Sequence, residues 1–197
     1  MFGPTGGDAG GESLVLGIDP GVSRCGYGVV RRDGSRFRAV AYGVIRTPPG
    51  DELPDRLATL LHELDALMEE YRPSALAVER VLFQVNTRTA MSVGQASGLA
   101  LALAGRAGVP VTHYSPNEVK LAVAGDGGAG KFEVQQMVMR LLQLAELPDP
   151  PDAADALALA LCHWWRAPLA AQGAVGTARS SKLDDAIAAA LAKDGAR

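Results

Sequence analysis

The sequence predicts an α/β fold, a mixed five-stranded sheet with helices on both faces. Three observations predict it. An apolar run at Leu14–Asp19 is followed by two β-rich runs joined through Asp33-Gly34, a hairpin signal. From residue 53 onward, helical periodicity alternates with short apolar runs. Hairpin-linked strands followed by crossover-linked strands give a sheet of mixed direction with helices packed on each side.

The elements follow in order. Residues 1–12 are Gly-rich and read as a disordered arm. Leu14–Asp19 is a buried strand ended by the turn at Pro20-Gly21, and 25–32 and 37–46 are the next two strands. Leu53–Tyr71 places Leu57, Leu60, Leu61, Leu64, Leu67 and Met68 on one helical face with acids opposite, and Pro73 stops it. Ala75–Glu79 is a short buried strand. Thr87–Ala107 is Ala-rich and reads as helix despite its glycines; Gly94, Gly98 and Ala102, four residues apart, allow a close helix contact. A fifth strand is expected at 109–114. Ser115 then N-caps a short helix, with Pro116 at its first position and Glu118 completing a capping box. A glycine-rich loop at 125–130 leads to an amphipathic helix at 131–145, and 152–165 is the last core helix. The globular domain is thus expected at 13–167. A tail follows at 168–197, in which 182–193 is open between a short helix and an irregular chain. No internal repeat is present.

At 197 residues the chain is long enough for one domain with a full core. Its net charge of −3 gives no sign of nucleic-acid binding, but the distribution does. Residues 20–46 hold six arginines against one aspartate, 47–70 hold one arginine against seven acids, and 71–140 hold seven bases against four acids. A near-neutral total can therefore carry a basic face. Cys25 and Cys162 are far apart and form no metal-spaced pair, which fits reduced thiols in a cytoplasmic protein. The first residues have neither a basic segment nor an apolar one, so no signal peptide is expected. No apolar run is long enough to span a bilayer.

Four acids stand at the edges of apolar segments. Asp19 and Glu79 each close a strand, and Asp152 and Asp155 open the last helix on one face of its first turns. Taken singly, Asp19 starts a turn, Glu79 is an exposed strand end, and Asp152 and Asp155 are an N-cap and a first-turn acid that suit the helix dipole. Together they point further. Ligand sites of open α/β sheets lie at the carboxyl ends of strands, and parallel strands would bring Asp19 and Glu79 to one edge. Carboxylates beside a core need compensation, and a divalent cation bound by oxygen ligands supplies it. That directs attention to phosphate chemistry. No Ser/His/Asp set is apparent. His62 reads as solvent-facing, His113 as structural and His163 as lying two turns beyond Asp155, while Trp164 and Trp165 read as packing residues.

Four segments carry a resemblance: Leu16-Gly17-Ile18-Asp19-Pro20-Gly21, Val78-Glu79-Arg80-Val81, Gly94-Gln95-Ala96-Ser97-Gly98 and Asp152-Ala153-Ala154-Asp155-Ala156-Leu157-Ala158. In this order, and spread from Leu14 to Trp165, they resemble the signature segments of the RuvC family of crossover (Holliday) junction endodeoxyribonucleases. The resemblance implies a ribonuclease H-like fold and a homodimer that cuts two strands of like polarity in a four-way DNA junction. It implies a role in homologous recombination and DNA repair, with nicks bearing 5′-phosphates and 3′-hydroxyls. The family's catalytic and metal-binding tetrad falls on Asp19, Glu79, Asp152 and Asp155. The implied cofactor is Mg²⁺, two ions per site, with Mn²⁺ as a substitute. Lys120 and Lys131 match basic residues near the scissile phosphate. The segment 82–88 matches a loop that touches bases at the crossover; Phe83 remains there, whereas Leu82 replaces an aromatic residue. Arg80 and Arg88 complete the DNA-binding candidates, and the role of Arg80 is open. The family also implies the branch-migration proteins RuvA and RuvB as partners.

Three other readings compete. An actin-like or sugar-kinase ATPase would use residues 17–21 as a phosphate loop, but such enzymes need two such domains, and no Walker-type Gly-Lys-Ser/Thr segment is present. A nuclease of related fold acting on RNA or hybrids would share the metal chemistry. A non-catalytic junction-binding protein would not require all four acids.

Overall fold

Strand pairing at the centre of the computed structural model, which describes residues 13–80 and 87–174, forms a five-stranded sheet. The strands are β1 (Leu14–Asp19), β2 (Arg24–Asp33), β3 (Arg36–Arg46), β4 (Ala75–Glu79) and β5 (Val111–Tyr114), and the spatial order is β3-β2-β1-β4-β5. The meander β1–β2–β3 is antiparallel, and β4 and β5 join in parallel. The helices are α1 (Leu53–Tyr71), α2 (Thr87–Ala107), α3 (Pro116–Ala124), α4 (Lys131–Leu142) and α5 (Pro151–Ala174). The α/β class and the mixed five-stranded sheet are as expected. The chain divides into two units, Met1–Trp164 and Trp165–Arg197, and the site described below lies wholly in the first. The expected N-terminal arm, residues 81–86 and the tail beyond 174 lie outside the described residues.

Alternation along the strands assigns the faces. Leu16, Ile18, Leu76 and Val78 enter a core with Leu60, Leu64 and Met68 of α1 and Ala96, Ala100, Leu103 and Ala104 of α2. Asp19 and Glu79 have the opposite parity and lie on the face covered by α5. That helix sits directly on glycine. Gly17 pairs with Gly28 across β1 and β2, and Asp19 pairs with Gly26. A Cβ on Gly17 would fall 2.0 Å from the Ala156 carbonyl oxygen, and one on Gly26 would fall 2.2 Å from that of Asp152. Only a backbone without side chains lets α5 come this close, and α5 answers with Ala153, Ala156 and Ala160, all fully buried.

Several boundaries differ from expectation. β5 begins at Val111, because the Val109 N–H is bonded back to Ala104 of α2 and Pro110 has none to give. α4 ends at Leu142, where Gln143 takes a left-handed conformation (φ 56°) and its N–H caps the Met139 and Arg140 carbonyls. α5 starts at Pro151, so Asp152 is a first-turn residue and not the N-cap. It continues to Ala174, past the expected end at 165; Pro168 removes one donor, and the alanines around it favour helix. The small-residue face of α2 makes no close contact among the described residues. A Cβ on Gly94 or Gly98 would meet nothing within 4 Å, and Ala102 is exposed. α2 packs on α1 through its Ala96, Ala100 and Ala104 side instead. The capping box at Ser115 forms as expected, with the Glu118 N–H bonded to Ser115 Oγ and the Ser115 N–H to Glu118 Oε2.

Candidate active site

Strand register sets the first half of the site. Ile18 of β1 lies beside Val78 of β4 in the parallel pair, so the next residues, Asp19 and Glu79, end the two strands side by side. The second half comes from α5. Its contact with Gly26 places Asp152 over the end of β1 and beside the start of β2, and Asp155 follows one turn on. Three segments distant in sequence thereby bring four carboxyl groups to one sheet edge.

The two halves are neutralised differently. Burial is the largest cause pushing the Asp19 carboxyl up to about 8, followed by the charges of Glu79 and Asp155 and a hydrogen bond with Glu79. Glu79 is raised too, mainly by burial, although the bond from Asp19 and the charge of Lys131 oppose the rise. Without a cation this pair retains a proton at neutral pH. For Asp152, burial alone would raise the pKa. The hydrogen bonds and charge of Arg24, with help from Lys131, outweigh it and hold the carboxyl below the usual range. Arg24 donates from Nε and Nη2 to Asp152 Oδ2 at 3.1 and 2.5 Å. Lys131 donates to Asp155 Oδ2 at 2.6 Å. Desolvation favours the neutral amine of Lys131, but Asp155, then Asp19 and Asp152, keep it charged and raise its pKa.

All four candidate ligands offer carboxylate oxygen, the donor type that hard divalent cations take. Among the described residues no three acids form a ready coordination shell; Asp152 and Asp155 are instead paired with Arg24 and Lys131. The set still fits a divalent cation, because a proton retained near neutral pH marks negative charge that this fold has not otherwise compensated. A cavity of about 280 Å³ opens beside the acids, lined by Glu79, Asp155, Lys120 and Lys131 among others.

The family model described as "Crossover junction endodeoxyribonuclease RuvC" matches residues 15–163. The chain belongs to the RuvC family. A protein of that name from Frankia alni is 55% identical over 159 residues, covering 80% of this chain and 81% of the relative. Another, from Salinispora arenicola, is 56% identical over 153 residues, covering 77% and 87%. Among solved structures, "T. thermophilus RuvC in complex with Holliday junction substrate" superposes with a TM-score of 0.76 at 40% identity, covering 80% of this chain and 96% of that one. The yeast mitochondrial resolvase Ydc2, at 20% identity and a TM-score of 0.57, shares the fold.

Within this RuvC-family chain the structure distributes the expected residues unevenly. Asp19, Glu79, Asp152 and Asp155 come together, and Lys120 and Lys131 flank them. Arg80 does not join them: its Nη2 reaches the His113 carbonyl at 3.3 Å, and it lines a separate cavity with Gly94, Ser97 and His113. Phe83 lies outside the described residues, and Arg88 stands in the first turn of α2, at the boundary of what is described. His163 is buried, with Nδ1 3.0 Å from the Tyr114 hydroxyl, and burial lowers its pKa. His62 is exposed. Trp164 packs near Phe37 and donates to the Val30 carbonyl at 3.2 Å, a structural placement. Both thiols are buried without a disulfide, and burial pushes Cys25 up to about 12. No described helix is long and apolar enough to cross a membrane. Sequence reasoning missed Arg24. Its only local signal was membership of the basic stretch 20–46, and its partner Asp152 is 128 residues away.

Proposed function

We propose that the protein resolves four-way DNA junctions in recombination and repair, nicking two strands of like polarity symmetrically. The carrying observation is the approach of four carboxyl groups from β1, β4 and α5 at one sheet edge, beside a cavity that Glu79 and Asp155 line with Lys120 and Lys131. On this reading Asp19, Glu79, Asp152 and Asp155 hold two divalent ions, Mg²⁺ or Mn²⁺. Such ions would activate water and stabilise the leaving 3′-oxygen of a phosphodiester, giving 5′-phosphate and 3′-hydroxyl ends. The chain's own residues do the rest. Asp19 and Glu79 give up their shared proton and present carboxylate at a fixed strand edge. Lys131, at the start of α4, and Lys120, on α3, face the same cavity and neutralise charge that develops on the phosphate.

Paired nicks require two sites, so the reading includes a homodimer. The exposed face of α2, where a Cβ on Gly94 or Gly98 meets nothing within 4 Å among the described residues, Ala102 is exposed and Met91 is 66% exposed, supports a second copy docking there. Buried thiols without a disulfide support a reducing, cytoplasmic setting. RuvA and RuvB belong to the same reading as proteins that move the junction. The test compares a four-way junction, its linear duplex arm and an RNA–DNA hybrid with each metal. Symmetric cutting of the junction alone is expected. Equal cutting of the hybrid would favour a ribonuclease, and tight junction binding without cutting in either metal would favour a non-catalytic binder.

A further inference from the structure

A second charged feature borders the acidic site and is not used by the chemistry above. Where β2 begins, β3 ends and α1 approaches, a groove of about 360 Å³ is lined by Ser23, Arg24, Arg46, Thr47, Pro48 and Pro49. Arg56 of α1 closes it, donating from Nη2 to Ser23 Oγ at 2.5 Å and from Nε to Thr47 Oγ1 at 3.0 Å. The floor is built: Thr47 is 3% exposed, and its hydroxyl donates in turn to the Val22 carbonyl at 2.7 Å. Arg24 is shared by the groove and the acidic site.

The charges are only partly compensated within the fold. Arg24 and Arg46 are direct cross-strand partners in the β2–β3 register, a like-charge placement that weakens a sheet. The Arg56 guanidinium donates to neutral hydroxyls, and the Arg46 side chain makes no hydrogen bond or ion pair among the described residues. Asp152 neutralises Arg24, with Asp149 contributing at longer range. Asp51, Glu52 and Asp55 lie on the segment that follows, and none pairs with Arg46 or Arg56 among the described residues. A guanidinium fork held at a hydroxyl-lined groove is suited to a phosphodiester.

We infer that this arginine groove is a phosphate-binding subsite, which grips the DNA strand one or two phosphates from the bond that is cut. The inference rests on the junction-cleaving reading. Arg46 and Arg56 supply the grip, and Arg24 ties the groove to Asp152, so a strand seated in the groove is aligned with the carboxylates. Arg46 is exposed, so its replacement should leave the fold intact, which a melting curve verifies.

The test measures junction affinity in EDTA, where no cutting occurs, for the full chain and for Arg46→Gln over a range of KCl. A panel of junctions carries single neutral methylphosphonates on each side of the cut position. Arg46→Gln is expected to bind the natural junction roughly three- to tenfold more weakly and to lower the salt slope by about one. One flanking methylphosphonate should weaken the unaltered protein by the same factor and leave Arg46→Gln unaffected. Unchanged affinity for Arg46→Gln, or losses that multiply at every methylphosphonate position, would overturn the inference. A protein that cuts junctions in Mg²⁺ or Mn²⁺ yet shows either of those results loses only the groove. One that leaves junctions uncut loses the reading of function itself.

Discussion

Asp19 and Glu79 end adjacent parallel strands, are the more deeply buried pair and have carboxyls that burial raises; Asp152 and Asp155 stand at the start of α5, are more open and each receive a basic side chain. The difference shows two ways in which one fold bears clustered acids. The strand pair receives no arginine or lysine hydrogen bond among the described residues, and burial together with repulsion from neighbouring carboxylates raises both carboxyls. The helix pair faces the open rim, where Arg24 and Lys131 can reach in. The buried half thus supplies fixed geometry, and the rim half supplies charge that can be exchanged.

The largest expected effect breaks the buried half. Asp19→Asn should reduce junction cutting roughly 10³-fold or more while leaving junction binding in EDTA intact. The same change has a readable stability effect. A carboxyl raised from 3.8 to about 8 binds its proton in the folded state and releases it when unfolded across that window. The metal-free protein therefore loses stability as pH rises from about 4 toward 8. Thermal melts should show that fall, and Asp19→Asn should flatten it and melt higher at pH 8. A steeper fall in the variant would contradict the assignment.

The next effect shifts the helix half against the strand half. Gly26→Ala puts a methyl group 2.2 Å from the Asp152 carbonyl oxygen, so α5 must move. A loss of about 3 kcal/mol or more in urea unfolding is expected, together with loss of cutting. A variant with normal stability and activity would show that the close seat of α5 is not what gathers the acids. Lys131→Gln removes a cation facing the cavity and should lower the single-turnover rate roughly 10²-fold. An unchanged rate would confine Lys131 to neutralising Asp155. The smallest change is at Arg24. Freed of its guanidinium partner, Asp152 should bind Mn²⁺ a few-fold more tightly in Arg24→Gln, as read by calorimetry. Weaker binding would mean that Arg24 orients Asp152 for the metal.

Much of this was legible before any coordinates. Each strand in the sheet shows as an apolar or β-rich run, and the acids at Asp19 and Glu79 are visible because a charge ends such a run. The capping box at Ser115 is a local code and reads directly. Illegible features were those set by distant partners. Nothing near Gly26 or Gly28 announces that a helix more than 120 residues later will rest on them. The spacing of Gly94, Gly98 and Ala102 shows a face able to accept close contact but not whether the chain itself fills it, and it does not. Arg24 resembles any of its basic neighbours until α5 brings Asp152 to it.

On the proposed reading all four acids hold divalent cations together, and Asp19 and Glu79 release a proton as the cations bind. Calorimetric titration with Mn²⁺ at pH 7, repeated in buffers of different ionisation enthalpy, counts the protons released on binding. About one proton per chain is expected from the unaltered protein, and Asp19→Asn should bind more weakly and release none. Binding without proton release, or release that persists undiminished in Asp19→Asn, would contradict the account.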